Sequence, residues 1–414
     1  MTYWKSPSLL WVAAFYVGCY LLLYWGKRRQ RVAAEAMAAR WQEEDTVPLG
    51  PLAAAASSPI NKRSWRFGGE GRLGFDRGAL VYKLGQWVWA RRRDLLRLTV
   101  ATGLVLLLLS GYQPDYRKGI GYVEFIDVGQ GDSALITTPS GKHLLVDGGG
   151  TVSFRKAKDA WRERREPFEV GAKTVVPLLK KRGIHRLDAV ILSHGDQDHI
   201  GGLQAVLNSF PVEAVLINGS LAESKTMTTL METAISKNIP IYSAFAGMTL
   251  DPDEKTKLTF LSPNQAVVSG RVSVRENQNH LSIVFLLVMD EVSFLFTGDM
   301  DVSAEKSLLA EIKGPGSDST VLLPNRIDVL KVAHHGSKTS TSEQWVREIN
   351  PIVSVISAGQ SNSYGHPNHE VVARLERAGT LIYRTDLHGG IQMKVKGGQL
   401  WSRKKTFTQS VKRD

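Results

Sequence analysis

The feature that most constrains this chain is the way its apolar runs end. From about residue 120, short β-branched runs alternate with Gly-rich turns and helix-patterned stretches: YVEFIDV, HLLVDG, LDAVILS, EAVLING, SIVFLLV, VSFLFTG, DVLKVA and IVSVIS. Helix patterning falls between them, over 175–182, 199–208, 224–238, 303–312, 341–348 and 369–378. That alternation predicts a layered α/β domain. Four of the strand-like runs pass directly into polar groups. LLV ends in Asp147 and three glycines, and AVILS ends in His194-Gly195-Asp196-Gln197-Asp198-His199. VSFLF ends in Thr297-Gly298-Asp299, and VLKVA in His334-His335-Gly336-Ser337. In α/β sheets ligand sites lie beyond the carboxyl ends of strands, so neighbouring strands would bring these four groups together.

The segment from His194 to His199 holds two imidazoles and two carboxylates in six residues. A solvated turn uses Asp and Gly readily but has little reason for flanking histidines. The chain has one cysteine, Cys19, which excludes an intrachain disulfide and any Cys-based zinc site. Imidazole with carboxylate and no thiolate suits Zn²⁺ or Mn²⁺. There are too many donors for one tetrahedral ion, whereas two divalent ions about 3.5–4 Å apart would use them all.

These residues carry a resemblance. His194-x-Asp196-x-Asp198-His199 followed by Gly201-Gly202 is similar to the signature His-x-His-x-Asp-His of the metallo-β-lactamase superfamily, with Asp196 in place of the second histidine. FIDVGQGDS, LLVDGGG, SHGDQDHIGG, FTGD, KVAHHGS and YGHP, in that order, resemble the ComEC-type branch, found in DNA-uptake channels of bacterial competence. The resemblance covers about residues 95–397. It implies a four-layer αββα sandwich with a two-metal site in the cleft between its halves. By position, His194 and Asp196 would serve one metal, Asp198 and His199 the other, and Asp299 would bridge them. A histidine of HHGS completes the second; His334 comes first after the strand, and His335 is the alternative. Asp147 matches a carboxylate that orients ligands, and Gln130 and Asp132 are expected to brace the turn behind the metals. His280 is either a further ligand or a surface histidine. His366 of YGHP either faces the cleft, as a proton donor or phosphate contact, or orders the loop before Pro367. His143, His185 and His388 stand alone beside strands and are not expected to ligate.

Two apolar segments precede this domain. Residues 6–26 carry no charge and have Trp and Tyr near both ends, the pattern of a membrane-spanning helix. The run LTVATGLVLLLLSGYQP, within residues 95–114, is shorter and is expected to span as well; a buried core helix is its alternative. The expected organisation is a first transmembrane helix (1–26), a basic and partly disordered cytoplasmic loop (27–94) and a second helix (95–114). A metallo-β-lactamase-like domain (118–397) and a basic tail (398–414) follow. The chain's net charge is +12, and the loop alone holds 14 Lys and Arg against 7 Asp and Glu. By the positive-inside rule the loop is cytoplasmic, which places the chain in the cell membrane, multi-pass, with the catalytic domain extracytoplasmic. Much of the positive charge therefore reflects topology, and is no argument for nucleic acid. A separate indication is residues 154–168, where six basic residues interleave with Phe154, Trp161 and Phe168. Arg155, Lys156, Trp161 and Lys338 are candidate DNA contacts; an amphipathic surface helix explains the same spacing.

The expected function is metal-dependent phosphodiester hydrolysis of DNA, by water activated between two cations, with Asp198 and His366 as catalytic candidates. Hydrolysis of a small ester or phosphodiester on the same fold is one rival. A non-catalytic DNA-binding module of the uptake channel is another. The expected partners are DNA, the membrane, and the channel portion of a competence protein as a separate chain.

Overall fold

The computed structural model describes residues 13–25, 27–28, 31, 35, 77–112, 116–150, 169–264, 272–313, 323–360, 362–404 and 408–411. The chain divides into two compact units, Pro7–Gly111 and a larger one made of Tyr112–Asp414 with Met1–Ser6.

In the larger unit the described strands form two main sheets. The first has nine strands, in the spatial order Thr408–Val411, Gln399–Lys404, Ile391–Lys396, Gly121–Phe125, Ala134–Thr137, His143–Val146, Ala189–Ile191, Val215–Ile217 and Ile241–Ser243. The second has seven: Leu381–Arg384, Val353–Ile356, Val329–Lys331, Val292–Phe296, Val284–Met289, Thr256–Ser262 and Thr249–Asp253. The alternation of side chains along each strand sets the layers. Leu144 and Val146 face a core shared with Phe285, Phe294 and Phe296 of the other sheet, while Leu145 points the other way. Leu145 packs with Leu203, Val206 and Leu207 of the helix Leu203–Ser209. On the second sheet Leu286 and Leu295 pack outward against Leu308, Leu309 and Trp345 from the helices Val302–Lys313 and Glu343–Ile349. The order is thus helices, sheet, sheet, helices. With both faces covered, the central strands are apolar throughout rather than alternating. Each fully buried Leu or Phe contributes about 1.5–3 kcal/mol.

The helices begin where their caps place them. Ser224, Ser342 and Asn368 accept the backbone N–H groups of Met227, Trp345 and Glu370, opening Lys225–Ser236, Glu343–Ile349 and His369–Arg377. The sheet runs on past residue 397, where the sequence placed the end of the domain. Gly397 and Gly398, at φ 54° and 69°, turn the chain into Gln399–Lys404, and Leu400 enters the core. Part of the expected basic tail is therefore a strand of the sheet.

In the smaller unit residues 13–25 are helical, and a second helix runs Arg77–Tyr112. That helix starts well inside the stretch expected to be loop. Gly18 lies against Leu104, where a Cβ would sit 2.5 Å from Cδ2, and Arg97 donates to the Trp25 carbonyl at 3.4 Å. These pairings make the two helices antiparallel. Among the described residues no helix is long and apolar enough to cross a membrane. Of the first expected span, residues 1–12 and 26 lie outside the described residues, as does most of the expected loop before residue 77.

Candidate metal centre

Both sheets deliver their strand ends to one place. The parallel strands His143–Val146 and Ala189–Ile191 lead to Asp147 and His194, and Val292–Phe296 and Val329–Lys331 lead to Asp299 and the His334–His335 pair. Asp299, 2% exposed, is the centre of the group. Its Oδ1 is 3.2 Å from His199 Nε2. Its Oδ2 is 3.5 Å from His335 Nε2, 3.6 Å from His334 Nε2 and 3.9 Å from His194 Nε2. Asp198 stands 3.4 Å from His335 Nε2, and Asp196 3.5 Å from His194 Nε2.

Contacts made away from the centre fix which way each imidazole faces. Asp147 Oδ2 lies 2.9 Å from His199 Nδ1, so Nε2 is turned to Asp299. Asp147 is itself held by the backbone N–H and hydroxyl of Ser193, at 2.8 and 2.7 Å. His335 Nδ1 is 3.0 Å from the Ser357 carbonyl, which aims Nε2 at Asp198 and Asp299. Such partners set the tautomer and orientation of ligand histidines in metal sites. The backbone is strained here: Asp147, His334 and His335 all lie in the left-handed region, at φ 55°, 49° and 54°. Each such residue costs on the order of 1–3 kcal/mol and persists where its surroundings enforce it. Gly131 shows how tight the packing is, since a Cβ there would lie 2.2 Å from the Asp198 carbonyl oxygen.

The electrostatics follow from buried carboxylates. Burial alone would lower the His199 and His335 imidazoles. Asp299 and Asp147 instead raise His199 well above its ordinary value, and Asp299 and Asp132 push His335 up to about 10. Conversely, burial would raise Asp299 and Asp198, but the neighbouring histidines hold both carboxyls down. Asp132 is also held low, against burial, by Lys331 at 2.8 Å and by His335. Burial lowers His334, and it lowers His366 to about 4 with help from His335 and His334. The group demands compensating positive charge.

Hydrogen bonding leaves that demand open. His194 Nε2, His199 Nε2, His335 Nε2 and Asp299 Oδ1 are buried with no hydrogen-bond partner. Buried polar atoms are nearly always paired, so four orphans around one carboxylate need an explanation. Among the described residues four sets of donors converge closely enough for an ion: His194, His199 and Asp299; Asp198, His199 and His335; Asp132, Asp299 and His335; and Asp132, Asp147 and His199. All are N and O donors, so the residues fit divalent cations of the Zn²⁺ or Mn²⁺ type.

The structure brings His194, Asp196, Asp198, His199, Asp299, His334 and His335 together, with Asp147 and Asp132 behind them. Both histidines of HHGS reach Asp299, His335 being the more deeply buried. The structure leaves His280 out. The short helical turn Asn279–Leu281 leaves its side chain exposed, and Gln278 points inward instead, accepting the Gly195 N–H at 2.8 Å. His366 is half-buried at the edge of the cluster, its ring 5.8 Å from that of His334. Lys338 is exposed, while Arg155, Lys156 and Trp161 lie outside the described residues. Sequence reasoning passed over Ser193, Gln278 and Lys331. A lysine inside the apolar run VLKVA was the one local signal for a buried ion pair.

The sequence has counterparts. A family model described as the metallo-beta-lactamase superfamily matches residues 126–360. The chain is 33% identical over 310 residues to ComE operon protein 3 of Bacillus subtilis (strain 168), covering 74% of this chain and 37% of that protein. It is 28% identical to competence protein ComA of Neisseria gonorrhoeae, covering 72% and 37%. The chain thus spans little more than a third of the length of these relatives. A solved metal-dependent hydrolase of the β-lactamase superfamily aligns at 14% identity and a TM-score of 0.38, covering 67% of this chain and 99% of that one.

Proposed function

The chain belongs to the metallo-β-lactamase superfamily, and from that premise we propose that it is a metal-dependent phosphodiesterase acting on DNA, held at a membrane. The observation that carries the hydrolase reading is the set of four unpartnered buried atoms around Asp299. His194, Asp196 and Asp299 would hold one divalent ion, and Asp198, His199 and His335 a second, with Asp299 shared. Ions bound there supply Lewis acidity, making water nucleophilic at neutral pH and stabilising charge on the oxygens around phosphorus. The chain's own residues do the rest. Asp147 and the Ser357 carbonyl hold the two inner imidazoles in place, and Lys331 balances Asp132 behind them. His366, kept neutral near pH 7 by burial and its histidine neighbours, is suited to offer a hydrogen bond to a phosphate or leaving oxygen, rather than to arrive already charged.

DNA is proposed as substrate because the relatives bear competence names, and the channel portion of such a protein is the proposed partner chain. The membrane reading draws on the smaller unit, where Tyr16, Val17, Tyr20, Leu23, Leu98, Val105, Leu106 and Leu109 are exposed apolar side chains. Lipid would cover that surface; the larger unit would then lie on the extracytoplasmic side, the orientation that the basic loop favours.

The test uses the full chain purified in detergent, with metal analysis after loading with Mn²⁺, Zn²⁺ or Mg²⁺. Cleavage of single- or double-stranded DNA is expected, and Asp198→Ala and Asp299→Ala should each lower it at least 1000-fold, on the order of what losing a catalytic metal costs. Retained activity in both variants would overturn the site. Turnover of small esters without DNA cleavage would overturn the substrate.

A further inference from the structure

We infer that Tyr364 is a stacking platform for the nucleobase beside the scissile phosphate, which makes the substrate a nucleic-acid strand rather than a small ester. The inference deepens the nuclease reading and rests on it.

Three aromatic rings step outward from the centre. His335 is buried, the His366 ring lies 6.4 Å from it at 29°, and the Tyr364 ring lies 5.6 Å beyond at 8°, nearly parallel. Tyr364 is 43% exposed, so this outermost ring still meets solvent. Its phenol is raised first by burial and then by the Asp198 and Asp196 carboxylates, which places it within their electrostatic reach. Asn362 donates to the carbonyls of Gly359 and His366, at 2.7 and 2.6 Å, and accepts the His366 N–H at 2.9 Å.

Tyr364 stacks on His366 and still leaves part of its ring to solvent at the rim of an ionic centre. A flat π-surface next to a phosphate site does have a use: bases stack on aromatic side chains, largely irrespective of sequence. A strand whose phosphate sits at Asp198 and Asp299 can place a flanking base on Tyr364. An ester that lacks an aromatic ring has nothing to place there.

The experiment measures steady-state cleavage of short single-stranded oligonucleotides by the metal-loaded full chain, comparing wild type, Tyr364→Ala and Tyr364→Trp. Tyr364→Ala should raise KM about tenfold or more, within the range of base–aromatic stacking, with a smaller effect on kcat. Tyr364→Trp should restore it. An abasic residue is then walked through the nucleotides flanking the cut. At one position the wild-type KM should rise, and there the alanine substitution should add nothing. A flat abasic series in the wild type overturns the inference, whatever Tyr364→Ala does to folding. So does an alanine penalty that persists at every position. Absence of any DNA cleavage by the wild type overturns the nuclease reading itself, and this inference with it.

Discussion

Two buried polar clusters in this molecule look alike by composition and differ in how they are satisfied. Glu124, on the strand Gly121–Phe125, is 5% exposed and fully engaged. Arg182 Nε reaches its Oε2 at 2.9 Å, Tyr116 donates at 3.0 Å and Gln392 at 3.2 Å, while Arg182 Nη2 takes Oε1. Around Asp299, by contrast, three of the four imidazole contacts are 3.5–3.9 Å, too long for hydrogen bonds, and Oδ1 has no hydrogen-bond partner. The first cluster closes on itself and ties Arg182, Tyr116 and Gln392 to an interior strand of the sheet. The second is arranged around a common point, where its carboxylates and imidazoles could hold metal ions. A buried charge does not mark a functional site; a buried charge left incompletely paired does.

The largest expected difference is in response to pH. Metal binding needs neutral imidazoles, and His335, with a pKa of about 10, and the raised His199 each hold a proton near neutrality. Metal affinity should fall as pH falls from 8 to 6, by about tenfold per unit for each proton displaced. The same shifts make the metal-free protein most stable below the ordinary imidazole range, and that contribution is lost as pH rises towards 10. Calorimetric metal titrations at several pH values, with melting curves of the metal-free form, check both signs. A pH-independent affinity would break the comparison.

Breaking the closed cluster should act on stability alone. Glu124→Ala removes the buried carboxylate that Arg182, Tyr116 and Gln392 share and is expected to cost about 3 kcal/mol, measured by denaturant unfolding, without changing metal stoichiometry. A loss of metal would mean that the two clusters are not separate. The smallest effect belongs to the carboxylate behind the centre. Asp147→Ala releases His199 Nδ1 and should weaken metal affinity about 10–100-fold, with the metals still bound at saturation. An unchanged affinity would show that the Ser193 hydroxyl, 3.2 Å from His199 Nδ1, suffices to hold the ring.

Much of the site was legible because each group sits at the end of an apolar run, beside glycine, within a few residues of chain. What was not legible came from elsewhere in the chain or from a local twist. Residues 278–280 offer Gln278 and His280 two positions apart, and only the turn of the backbone decides that Gln278 faces inward. The left-handed conformation of both His334 and His335 brings both to Asp299, where position after the strand pointed first to His334. Lys331 sits inside an apolar strand, and its partner Asp132 comes from nearly 200 residues earlier in the chain. The last strands were read as tail because their burial depends on a sheet whose other strands begin at residue 121.

The sequence by itself determined the chemistry available: nitrogen and oxygen donors, no thiolate, and more ligands than one ion can use. Only the tertiary structure decided which nitrogen of each imidazole faces the centre. The reason is physical. A histidine is aimed by what its other nitrogen touches, and those partners, Asp147 for His199 and the Ser357 carbonyl for His335, come in each case from the neighbouring strand of the same sheet.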